Sequence, residues 1–168
     1  MKKLAVVFCG AVFCLMLFVG VSYAADKFGY VDLSKIFTEY NKTKDYDKVL
    51  GDKEAVYTTE RDKKIADVKQ FQEKLNLLSD KEKVAKKTEF ETKLKALQEY
   101  DRQKQTDLRK EQDEKMKEIL KDIQDAVKQY AEAQGYTIVF NDRVLVYQTK
   151  SMDISDKVVE IVNKNYKK

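Results

Sequence analysis

The chain has 168 residues, with 33 Lys and Arg against 29 Asp and Glu, no His and no Pro. Charge this balanced and interleaved belongs to solvated helix faces and excludes the basic footprint of a nucleic-acid binder. Without His the commonest general base and metal ligand is missing, and a polar chain without Pro suits long uninterrupted helices.

The first segment reads as a leader. Lys2 and Lys3 precede an apolar run from Leu4 to Val21, and Ser22-Tyr23-Ala24 places small residues where a signal peptidase reads. Residues 1–24 are therefore expected to be a secretory signal peptide cleaved after Ala24. A retained membrane anchor is the weaker alternative, because the apolar run is marginal for a span. Cys9 and Cys14 each follow Phe inside that run, which argues against lipidation. Both leave with the leader, so the mature chain is expected to have no disulfide, no thiolate metal site and no cofactor. Its expected compartment is the periplasm.

Residues 25–40 open the mature domain. In "KFGYVDLSKIF", Phe28, Tyr30 and Val31 suit a short strand. Asp32 or Ser34 can cap a helix with Leu33, Ile36, Phe37 and Tyr40 on one face. Residues 41–134 are nearly all helix formers. As a single rod they would reach roughly 140 Å at 1.5 Å per residue. The break is "LNLLSDKEK", where Ser79 and Glu82 have capping-box spacing. The expectation is an αα-hairpin arm with its tip near residues 79–80 and a return helix ended by Gly135. Gly51, inside the outgoing helix, is a hinge candidate.

The apolar seam of this arm is uneven. Ile65, Val68, Phe71, Leu75 and Leu78 recur at helical spacing, as do Phe90, Leu94, Leu97 and Tyr100 or Asp101 on the return. Met116, Ile119, Leu120, Ile123, Ala126, Val127 and Tyr130 make a denser stripe near the base. Between Asp101 and Lys115 only Leu108 is large and apolar. Helical stability comes mostly from packing, so a mobile arm is expected.

The chain then enters "AQGYTIVFNDRVLVYQ". Two apolar runs, Tyr136–Phe140 and Val144–Tyr147, flank Asn141-Asp142-Arg143 and suggest a β-hairpin with both faces apolar. Asp153 or Ser155 can cap a last helix containing Val158, Val159, Ile161 and Val162. The fold class expected is α+β, mainly helical: a small β body from 25–40 and 135–168 carrying a coiled-coil-like arm. About 50 body residues rarely supply enough core unaided, so oligomerisation is expected. Its core candidates are Phe28, Tyr30, Ile138, Val139, Phe140, Val144, Leu145 and Val146. The alternative is that the base of the arm covers the second face within one copy.

These features together resemble the Skp/OmpH family of periplasmic chaperones. The residues carrying the resemblance are "FGYVDLSKIF", "AVKQYAEAQGYTIVFND" and "VLVYQTKSMDIS". The resemblance implies a homotrimer whose strands form a central barrel, with helical hairpins projecting around a cavity. It implies ATP-independent holding of unfolded outer-membrane proteins. Strongly basic arms in the family also imply lipopolysaccharide or an anionic membrane surface as a further partner. Residues 61–95 here hold 11 basic and 7 acidic residues, a weaker net of +4, and no lipopolysaccharide-contact residue is matched.

The arm residues Phe71, Leu75, Leu78, Lys83, Lys86, Lys87, Phe90, Leu94 and Leu97 are candidates for client contact. The competing reading places the apolar ones in an ordinary helix–helix seam. A structural or adaptor coiled coil of the envelope, binding one folded partner, is the alternative function. Catalysis is not expected. The mature chain lacks His and Cys, its only glycines are Gly29, Gly51 and Gly135, and its carboxylates lie on helices with nothing to tune them.

Overall fold

The computed structural model describes residues 26–167; the leader expected at 1–24 lies outside them. Strand β1 is Phe28–Val31 and helix α1 is Leu33–Glu39. Of the two candidate caps, Asp32 is the one used: its carboxylate accepts the Lys35 N–H at 2.9 Å. Ile36 and Tyr40 are buried on the inner face of α1, with Leu33 and Phe37 packed beside them.

Tyr40 is extended and redirects the chain into α2, Asn41–Asn76. Asn163 holds this corner from both sides. Its Oδ1 accepts the Asn41 N–H at 2.7 Å and its Nδ2 donates to the Glu39 carbonyl at 3.2 Å. The chain turns over residues 77–79 and returns as α3, Asp80–Gln134. Glu82 accepts the Ser79 N–H at 3.1 Å, satisfying a donor that the helix start would leave orphaned. The two helices have 36 and 55 residues, or about 54 and 80 Å of length at 1.5 Å per residue. Gly135 ends α3 at φ 70°, in the left-handed region that a side chain would strain.

Strand β2 is Ile138–Asn141, and its pairing corrects the expected hairpin. It lies parallel to β1, with Phe28 opposite Ile138 and Val31 opposite Asn141. Parallel strands need a long crossover, and here the whole arm is that connection. After β2 the chain does turn: the Asn141 carboxamide accepts the Arg143 N–H at 3.2 Å and Asp142–Val144 form a 3-10 turn. But residues 144–149 do not fold back to pair with β2. A second 3-10 turn, Lys150–Met152, leads to helix α4, Ser155–Asn165. At its start the Asp153 carboxylate accepts the Ser155 N–H at 2.9 Å. β1 also meets this segment, since the Ile154 N–H bonds the Tyr30 carbonyl at 3.0 Å.

The core joins all of these pieces. Val31, Ile36 and Tyr40 meet Ile119, Ile123 and Ala126 from the base of α3, and Ile154, Val158 and Val162 from around α4. The base of the arm thus covers the helical side of the body within one copy. Each fully buried Ile or Val there contributes about 1.5–3 kcal/mol. The backbone packs closely as well. A Cβ on Gly29 would come within 2.8 Å of the Tyr136 ring, so β1 can lie against that ring only as glycine.

Candidate functional site

Two surfaces stand out on this frame: the arm, and the side of the body that one copy leaves open.

At the arm's root Lys42 of α2 sits between two carboxylates of α3. Its Nζ is 2.5 Å from Glu118 and 2.7 Å from Asp122. The Tyr40 hydroxyl donates to the same Asp122 carboxylate at 2.9 Å. Burial first, and then that hydrogen bond, push the Tyr40 phenol up to about 12. Lys115 and then Lys42 pull the Glu118 carboxyl down to about 2.

Above the root the seam becomes polar and aromatic. Lys53 pairs with Glu111 at 2.5 Å. Tyr57 stacks on Tyr100 with ring centroids 6.0 Å apart, and donates to Asp101 at 3.3 Å. Arg61 approaches the same Asp101 at 3.2 Å. Tyr100 donates to Glu60, and this bond chiefly lifts its phenol to about 12. Helical spacing places Tyr100 or Asp101 in the seam of the return helix, and the structure puts both there. Their partners Tyr57 and Arg61 were not foreseen.

Toward the tip the seam is apolar again. Phe71 and Phe90 stack with centroids 6.3 Å apart and planes 12° from parallel. Leu75, Leu78 and Leu97 are half-buried, while Leu94 is just exposed. Of the nine client-contact candidates, the two phenylalanines are therefore occupied with each other. The three lysines lie beside acids on their own helix: Lys83 by Asp80 at 3.9 Å, Lys86 by Glu89 at 2.8 Å, Lys87 by Glu91 at 3.9 Å. Exposed pairs of this kind hold their charges loosely. Gly51 sits within continuous α2, with open space where a Cβ would lie.

The body's open side carries the second surface. Of the eight oligomer-core candidates, Phe28, Ile138, Val144 and Val146 are exposed, Val139, Phe140 and Leu145 are half-buried, and Tyr30 is buried within the copy. Tyr147, absent from that set, is exposed too. Beside them Leu33, Val127, Ile138 and Phe140 line an open recess of about 360 Å³. Contiguous apolar surface of this kind marks an interaction site.

The family model for OmpH-like outer membrane proteins matches residues 27–162. "Chaperone protein Skp" of Pectobacterium atrosepticum is 29% identical over 150 residues, covering 83% of this chain and 87% of that protein. The protein of the same name from Yersinia enterocolitica is 28% identical over 158 residues, covering 92% and 96%. A crystal structure described as an OmpH-like outer membrane chaperone, from Caulobacter crescentus, superposes with a TM-score of 0.77. It covers 85% of this chain and 87% of its own at 13% identity, a likeness of fold.

Proposed function

The chain belongs to the OmpH-like outer membrane protein family, and from that membership we propose that it is an ATP-independent chaperone holding unfolded outer-membrane proteins in the periplasm. The observation that carries the reading is the arm itself. Two helices of 36 and 55 residues leave a packed root, lose their apolar seam midway, and end in a segment of net +4. Such an arm offers many weak contacts to a non-native chain, while its charge keeps the complex in solution. The basic tip raises the encounter rate with acidic clients. Copies join through the open apolar side of the body into a homotrimer, and their arms surround a common space. The leader at 1–24 delivers the chain to the periplasm.

The test dilutes a urea-unfolded β-barrel protein into the mature chain and follows light scattering. One trimer per client should suppress aggregation. Undiminished scattering at that ratio would defeat the reading.

A further inference from the structure

The client-contact candidates named from the sequence lie in the upper arm, where Phe71 and Phe90 already pack on each other. Leu77 and Val84 are exposed beside the tip, and a second stretch of open apolar surface lies lower on the arm. Val49 is 46% and Val56 57% exposed on α2, seven residues apart and so on one helix face. With Tyr57 and Leu108 they line a slot between the two helices of about 460 Å³. A second opening on the other side of the seam shares Tyr57 and Leu108.

Valine is a poor choice for an exposed helix position, where Lys, Glu, Gln and Ala are each better helix formers. Nothing within the copy packs on Val49 and Val56 well enough to bury them.

The rim is acidic. Asp52, Glu60, Asp107 and Glu111 border the slot, against Lys53 and Lys104. Lys53 is held by Glu111 at 2.5 Å, and Lys104 lies 5.8 Å from the Tyr100 ring centroid. Glu60 accepts from the Tyr100 hydroxyl, and Asp107 accepts only the neutral amide of Gln103, at 2.9 Å. Among the described residues neither Asp52 nor Asp107 has a cation in salt-bridge range. Outside residues 61–95 the arm has 12 basic and 15 acidic residues, the reverse of its tip.

We propose that this mid-arm slot seats an apolar side chain of an unfolded client at a point where a Lys or Arg lies next to it in the client's sequence. The valines supply the contact area, and Asp52 and Asp107 meet the adjacent cation. The inference rests on the holding-chaperone reading and gives it a place and a sequence preference. Acidic stretches of the same client suit the tip, so the arm sorts a bound chain along its length.

The experiment uses the mature chain and two unstructured probe peptides. Each presents one Phe, flanked in one peptide by Lys and in the other by Glu. Methyl NMR signals of Val49 and Val56 should shift on titration, with the Lys-flanked peptide bound about five-fold tighter at low salt. Asp52→Asn with Asp107→Asn should remove that preference. Val49→Gln with Val56→Gln keeps good helix formers and should weaken binding of both peptides by about five-fold, the loss of roughly 1 kcal/mol of apolar contact. Equal affinity for the two peptides, or shifts confined to signals near Phe71 and Phe90, overturns the slot. So does full suppression of client aggregation by the Val49→Gln, Val56→Gln variant. Failure of the unaltered chain to suppress aggregation overturns the chaperone reading instead, and the slot with it.

Discussion

Lys42 Nζ lies 2.7 Å from Asp122 Oδ2, tying the first turn of α2 to the base of α3 across 80 residues of chain. Burial opposes the charge on Lys42, yet the hydrogen bonds to Asp122 and Glu118 outweigh it and raise the lysine's pKa. The side chain is only 18% exposed. Removing it leaves Asp122 without its lysine and Glu118 with Lys115 alone.

Lys42→Met should therefore lower the unfolding free energy by about 1–3 kcal/mol. Lys121→Met removes a lysine paired with Asp125 on an exposed helix face, and should change it by less than about 0.5 kcal/mol. Urea unfolding followed by circular dichroism compares the two. Equal losses would mean that the root pair is no more than a surface contact.

Glu118 should give this root its acid sensitivity. Its folded value of about 2 lies below the ordinary 4.5, so its contribution is complete above 4.5 and fades as pH falls toward 2. The side chain is 45% exposed, and solvent screening leaves about 1 kcal/mol of the effect. Glu118→Gln should be less stable at neutral pH and lose less between pH 4.5 and 2. Parallel stability curves for the two proteins over that range would show that Glu118 is not the group responsible.

Gly51 offers a third check. It lies inside unbroken α2 with nothing near its missing Cβ. Gly51→Ala should stabilise the protein by about 0.5–1 kcal/mol, the ordinary helix-propensity difference. If Gly51 also lets the arm bend, single-cysteine spin labels at the root and tip will report a narrower distance distribution in the variant. The mature chain's lack of cysteine makes such labelling specific. Destabilisation would show that the helix is not regular at this point.

How much of this was legible in the sequence depended on how local each signal is. The Ser79–Glu82 spacing and Gly135 are short-range signals, and α3 starts and ends there. Asn141-Asp142-Arg143 is equally local and does turn the chain, but a turn does not name its strand partner. β2 pairs with β1, the two separated by the length of the arm, and no local pattern carries that information. The middle of the arm was hidden for another reason. Spacing puts Tyr100 or Asp101 in the seam of the return helix but names no partner on the outgoing one, where Tyr57 stacks on Tyr100 and Arg61 pairs with Asp101. The slot at Val49 and Val56 was missed because two valines in a charged helix draw no attention until their exposure is known.

One copy leaves the apolar side of the body uncovered. Phe28, Ile138, Val144, Val146 and Tyr147 all stay exposed within one copy. Light scattering on the mature chain after size separation tests this most directly. The native protein should have about three times the monomer mass, and Val144→Asp with Val146→Asp about one, as expected for a closed assembly sharing a small core. A native protein that runs as a clean monomer at micromolar concentration would contradict the account.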